Sequence, residues 1–258
     1  MIMQPQKQFK VLLIGETCDD EYVYGDVERI SPEAPVPVLK YDRTETHKGM
    51  SANVKANLES FGAFVNHITN KKPIIKRRVI DKNSNQQLIR IDEEGEIDPL
   101  RVSEVKAAFI HMQYDAIVIS DYDKGYLSKS DLETFCQNFS GPVFIDTKKT
   151  DLFSYPNVFF KINKREYDNL TTKPNPENLI VTLGEMGASY KNMVYTQSEK
   201  VNVFDVVGAG DTFLAALTHA YLTYEDITLA ITVANKSSSI AVQHYGCYTL
   251  SKEDVEGL

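Results

Sequence analysis

The chain predicts an α/β protein in which a mainly parallel sheet is covered by helices. Three observations lead there. Short β-branched or aromatic runs recur at 10–14, 116–120, 143–146, 158–162 and 179–183, and helix-compatible stretches separate several of them. A second texture of short strands with exposed charges occupies 21–42 and 74–92. The length, 258 residues, allows one sizeable core without requiring a second domain.

Taken in order, the polar start Met1 to Lys10 runs into Val11-Leu12-Leu13-Ile14, an apolar segment too short for a signal peptide or a membrane span. Tyr22-Val23-Tyr24, Val36-Pro37-Val38-Leu39 and Ile74 to Ile80 read as a small antiparallel sheet, which could cover a site as a lid or form a dimer interface. Helices are predicted at 51–61, 101–112, 128–138, 211–223 and 226–242, and Lys173-Pro174-Asn175-Pro176 is the clearest rigid turn. In the fourth helix Phe213, Leu214, Leu217, Ala220 and Tyr221 share a broad face that should be buried.

The formal charge of −8 and a pI near 5.2 argue against broad binding to nucleic acid or anionic membranes. Cys18, Cys136 and Cys247 are odd in number, far apart and without metal-ligand spacing, so they read as reduced packing residues of a cytoplasmic protein. The five histidines show no metal spacing either.

Chemistry concentrates in Asp205-Val206-Val207-Gly208-Ala209-Gly210-Asp211-Thr212-Phe213. Gly208 and Gly210 lack side chains that would block an anion, so backbone N–H groups can converge on a phosphate at the positive end of a helix dipole. Asp211 beside that phosphate suits a general base that takes a proton from an acceptor hydroxyl. A tight turn with a capping aspartate would use the same residues. A Rossmann dehydrogenase lacks its Gly-x-Gly-x-x-Gly turn after the first strand, and a P-loop enzyme lacks its Gly-Lys-Ser/Thr ending.

The glycine turn into Asp211 resembles the C-terminal signature of the ribokinase-like (PfkB) carbohydrate kinases, and the match runs nearly end to end. Arg29-Ile30-Ser31-Pro32-Glu33-Ala34-Pro35-Val36-Pro37-Val38, Asn85-Gln86-Gln87-Leu88-Ile89-Arg90 and Ser120-Asp121-Tyr122-Asp123-Lys124-Gly125 resemble the kinase domain of the bifunctional heptose-phosphate enzymes. The resemblance implies a three-layer α/β/α core with a mainly parallel sheet and a small antiparallel β lid. It places one kinase domain over 1–258, with lid strands from about 21–42 and 74–92. It implies ATP and Mg2+ as cofactors, and transfer of the γ-phosphate to the anomeric hydroxyl of D-glycero-β-D-manno-heptose 7-phosphate. A homodimer through the lid strands and a separate adenylyltransferase follow from the same resemblance.

Carried over by residue, Asp211 is the expected base, and Gly208, Ala209 and Gly210 are the expected backbone donors. Asn163 and Glu166 resemble the family's Asn-x-x-Glu motif, which places magnesium through water; such residues also begin many surface helices. Asp20 and Asn53 match the family's sugar-contacting aspartate and asparagine, with Gly49 beside them; Asn53 could equally be a helix-start residue. Arg90 and Lys124 are expected on the substrate side, Arg90 within a local set of cations with Lys76, Arg77 and Arg78. Strand alternation lets only some of that set face one site. Thr182, Gly184 and Gly187 fit a nucleotide-flanking loop, or a glycine-containing hairpin.

The chain departs from the pattern in three places. The core should be shortened near 66–76, where relatives carry a further helix-and-strand unit. Met50 replaces the second of two glycines, and Val207 replaces a threonine. The Val207 change leaves the backbone donors and Asp211 intact, whereas Met50 and the shortened core leave room for a kinase of another sugar or nucleoside, and the trimming for a non-catalytic ligand-binding relative.

Overall fold

In the computed structural model, residues 8–72, 74–196 and 201–258 are described; Met1 to Lys7, and with them most of the polar start, lie outside these residues. Two sheets organise the chain. The larger is built from β1 (Lys10–Gly15), β4 (Phe64–Ile68), β7 (Ala116–Asp121), β8 (Val143–Thr147), β9 (Val158–Asn163), β10 (Leu179–Thr182), β11 (Ala188–Tyr190) and β12 (Met193–Tyr195). Its strand order is β12-β11-β10-β9-β8-β7-β1-β4, parallel from β4 to β10 and antiparallel at β11 and β12.

Burial on both faces explains why these strands read as continuous apolar runs rather than alternating ones. Val11 and Leu13 of β1 face one core with α1 (Ser51–Ser60), α5 (Ala209–Tyr224) and α6 (Ile227–Ala241). Leu12 and Ile14 face the other, with α2 (Val102–His111) and α3 (Lys129–Asn138). The α5 face expected to be buried is so at Phe213, Leu214, Leu217 and Ala220, whereas Tyr221 packs at its margin. In α3 the Ser128 side chain accepts from the Asp131 amide while Asp131 accepts from the Ser128 amide. Ser128→Ala should therefore cost about 1 kcal/mol in urea unfolding.

The smaller sheet has the order β3-β2-β5-β6, from β2 (Thr17–Ile30), β3 (Pro37–Met50), β5 (Ile74–Asp81) and β6 (Gln86–Glu93). Two antiparallel hairpins meet along a parallel β2–β5 seam. β2 and β3 each run for 14 residues, well beyond the segments the sequence marks, because pairing along the hairpin carries polar residues that show no strand pattern. The larger sheet ends at β4, directly beside β1, which is the side expected to be shortened.

Sequence patterning passed over β4, β11, β12 and the short helices α4 (Lys164–Asp168) and α7 (Lys252–Glu256). All are of five residues or fewer, so periodicity has little to act on.

Candidate active site

Parallel strands deliver their carboxyl ends to one edge of the sheet, where open α/β folds bind ligands. Here that edge carries Glu16 after β1, Asp121 and Tyr122 at β7, Asp146 on β8, Asn163 on β9 and Thr182 on β10. The N-terminus of α5 comes to the same edge: a cleft of about 480 Å3 is lined by Tyr122, Asp146, Lys161, Asn163, Gly210 and Asp211. It adjoins a second cavity of about 620 Å3 whose walls include Thr182, Gly184, Gly187, Ala209 and Asn235.

Gly208 caps α5 at φ 78°, a left-handed conformation that favours glycine, and a side chain there would also strike the Asn53 amide nitrogen at 2.6 Å. The Ala209 amide donates to the Val206 carbonyl at 3.3 Å, whereas the amides of Gly210 and Asp211 have no acceptor among the described residues. Two free donors thus stand at the positive end of a 16-residue helix, an anion-binding arrangement.

Asp211 is 5 % exposed. Tyr122 donates its hydroxyl to Asp211 Oδ1 at 3.0 Å, and Asn53 donates its amide to Oδ2 at 3.2 Å. Burial, and then the Asp146 carboxylate, push the Asp211 carboxyl up to about 6, against the pull of Asn53, Lys161 and Tyr122. Lys161 Nζ in turn bonds Asp146 Oδ2 at 2.7 Å, with both side chains nearly buried. Asp146 Oδ1 is buried without a hydrogen-bond partner among the described residues. A carboxylate oxygen left so inside a cleft asks for a cation or a water.

Asn163 and Glu166 form a reciprocal helix cap on α4: the Glu166 amide donates to Asn163 Oδ1 at 2.9 Å, and the Asn163 amide donates to Glu166 Oε2 at 2.8 Å. Glu166 Oε1 pairs with Lys148. Both carboxylate oxygens are therefore engaged, and a cation would meet this pair through water or after release of Lys148. Thr182 and Gly184 line both cavities and Gly187 lines the larger one; they sit in a hairpin between β10 and β11, so the hairpin and cavity-wall readings hold together.

The smaller sheet contributes Asp20, which is 3 % exposed and pairs with Arg78 at 2.5 Å. A Cβ on Gly49 would lie 2.1 Å from Asp20 Oδ2, so only glycine permits that approach. Register sorts the neighbouring cations: Lys76 and Arg78 lie opposite Asp20 and Tyr22, while Arg77 turns outward to Glu21 and Glu93. Arg90 lies opposite Arg78 but is held by Asp92 at 2.6 Å, and Lys124 is held by Glu94 at 2.6 Å. Neither Arg90 nor Lys124 lines either cavity. Met50 takes φ 58° and packs with Cys18 and Ile74, so the bulk expected near the sugar is turned into a small core.

Sequence reasoning missed Asp146 and Lys161 and gave Tyr122 no role. A signal for Lys161 exists: a lone lysine interrupts the apolar strand Phe159-Phe160-Lys161-Ile162, and a buried charge in such a strand needs a partner.

Among the described residues no helix is long and apolar enough to cross a membrane. Residues 150–254 match the model of the pfkB family carbohydrate kinases. The bifunctional protein HldE of a Nitratiruptor species is 31% identical over 299 residues, covering 96% of this chain and 64% of the relative. HldE of Campylobacter concisus is 32% identical over 313 residues, covering 98% of this chain and 65% of the relative. The chain thus spans slightly less than two thirds of the length of these relatives. Ribokinase from Thermotoga maritima superposes with a TM-score of 0.70 at 16% identity, covering 96% of this chain and 98% of that one. Phosphofructokinase-2 from Escherichia coli, in complex with potassium, gives 0.71 at 14% identity and 97% of each chain. The fold is that of the ribokinase-like kinases, and within it residues 150–254 carry the match to the pfkB family of carbohydrate kinases.

Proposed function

We propose that the protein uses ATP to phosphorylate the anomeric hydroxyl of D-glycero-β-D-manno-heptose 7-phosphate or a similar sugar phosphate. The observation that carries this reading is Asp211: a buried carboxyl, held at both oxygens, beside two free amides at the start of α5. Asp211 takes the proton from the acceptor hydroxyl, and the amides of Gly210 and Asp211, with Gly208 and Ala209 shaping the turn, stabilise charge developing on the transferred phosphoryl group. Asp20, Asn53 and Gly49 form the sugar side. Thr182, Gly184 and Gly187 flank the nucleotide.

The residues fit a hydrated magnesium ion. The unpartnered oxygen of Asp146 and the Asn163–Glu166 pair would hold it and its waters. Bound there, the ion would offset triphosphate charge. Lys148, Lys161, Lys164 and Arg165 line the same cleft and add positive charge.

For a phosphate on the sugar, Lys76 is the cation on the Asp20 face without a carboxylate partner among the described residues. Arg90 and Lys124 would have to leave Asp92 and Glu94 to help. That neutralisation favours a second reading, in which the acceptor is another sugar or a nucleoside. In either case 1–258 would act as one kinase domain in the cytoplasm, with the four-stranded sheet as lid. Tyr41, Ile89 and Ile91, exposed on that sheet, suit a homodimer surface. An adenylyltransferase activity would use the product.

An acceptor panel tests the reading, with purified protein, ATP and Mg2+ incubated with heptose 7-phosphate, fructose phosphates, ribose and adenosine. ADP release confined to heptose 7-phosphate is expected. Equal release with ribose or adenosine would select the second reading. With the accepted sugar, kcat/KM should fall on the acid side with a midpoint near 6, as Asp211 is protonated.

A further inference from the structure

We infer that Tyr122 is a positioning residue for Asp211, fixing one carboxylate oxygen so that the other is presented to the acceptor hydroxyl; this rests on the reading of Asp211 as the base. An aspartate turns broadly about its second side-chain torsion, so a base needs a group that holds its plane. Tyr122 is built for that task at three points.

Its backbone is fixed by Glu16, fully buried, whose carboxylate accepts from the Tyr122 amide at 2.9 Å and the Lys124 amide at 3.0 Å. Its ring carries two ammonium groups at 5.4 Å from the centroid, Lys76 from the smaller sheet and Lys148 from the end of β8. Its hydroxyl meets Asp211 Oδ1 at 3.0 Å. Burial, and then the Asp211 charge, raise the phenol well above its ordinary range, so it stays a donor.

The other oxygen is held less firmly. Asn53 reaches Oδ2 at 3.2 Å with an amide that also reaches the Gly208 carbonyl at 3.4 Å. A sugar hydroxyl can take over this position while Tyr122 keeps Oδ1. The groups around Asp211 are Asp146 on β8, Lys161 on β9, Asn53 on α1, Tyr122 after β7, Lys148 after β8, Cys18 on β2 and Cys247 after α6. Among them Tyr122 alone has a hydrogen-bond donor on Oδ1.

Tyr122→Phe keeps the ring and its two cation seats and removes only the hydroxyl. The expected result is a fall in kcat of about tenfold to a hundredfold, the range for a hydrogen bond to a charged group, with an unchanged KM for ATP. The acid limb of kcat/KM should move to higher pH, because a bond that lowers the Asp211 carboxyl is gone. Carbon-13 NMR of the Asp211 carboxyl gives a second readout that needs no turnover: its titration midpoint should rise in the variant. An unchanged midpoint, or a kcat loss with a raised ATP KM and an unmoved acid limb, would overturn the inference. A raised midpoint in a protein that turns over no acceptor would keep the Tyr122 contact and overturn the base reading instead.

Discussion

Asp211→Asn should lower kcat by about 10³-fold, the middle of the range for a positioned general base, while the KM for ATP stays nearly constant. The amide keeps the shape of the carboxyl and leaves the free donors of Gly210 and Asp211 at the helix start, so nucleotide binding has no reason to fail. What is lost is a lone pair able to take the acceptor proton. The same variant should gain stability in a defined pH window. Asp211 has a folded-state value of about 6 against an ordinary 3.8, so the native state holds its proton more tightly than the unfolded chain does. The stability tied to this group is complete below pH 4 and is lost as the pH rises through 6. Asparagine carries no charge to bury. Urea unfolding should show the variant equal to wild type near pH 4 and more stable at pH 8, by an amount of the order of 3 kcal/mol. Loss of activity with a gain of stability would separate a catalytic role from a folding defect.

Asp20→Ala should destabilise the smaller sheet and weaken sugar binding together. Removing Asp20 strands the Arg78 guanidinium, whose side chain is only 12% exposed, and an unpaired charge of that kind costs about 3–5 kcal/mol. The double variant Asp20→Leu, Arg78→Met divides the two effects. It replaces the pair by apolar groups and should recover most of the stability, since a buried pair exchanged whole is often neutral. It should not recover the KM for sugar, because the acceptor for its hydroxyls is still missing. Recovery of both would show that Asp20 serves the sheet and not the substrate.

The five helices marked in the sequence form within a residue or two of their expected bounds, because each sets apolar side chains into one of the two cores, even where, as in α1, only Val54 and Leu58 do so. The strands at the centre of the sheet were legible for the same reason. The hairpin of β2 and β3 was legible only in outline: its residues are half-exposed and polar, and its length comes from pairing between residues such as Tyr22 and Glu45 that no local pattern joins. Around the site, Asp211, Gly208, Gly210 and Asn53 were legible because local turn chemistry or family pattern marks them, and the structure brings them together. Asp146 and Lys161 were not, since their meaning lies in a contact between two strands. Tyr122 sits in a motif that the sequence displays, but the hydroxyl bond that gives it a role spans 89 positions. Arg90 and Lys124 show the converse: the sequence displays two cations but not that the charge of each is answered, by a carboxylate two residues away or across the fold.

The most direct test of a sugar kinase built around Asp211 is phosphorus-31 NMR of a reaction containing protein, ATP, Mg2+ and heptose 7-phosphate. One new sugar phosphate resonance coupled to the anomeric proton is expected, growing in step with ADP and absent with Asp211→Asn. A new phosphate on any other carbon would contradict the proposed acceptor, and ADP formed equally by the Asp211→Asn protein would contradict the role of the base.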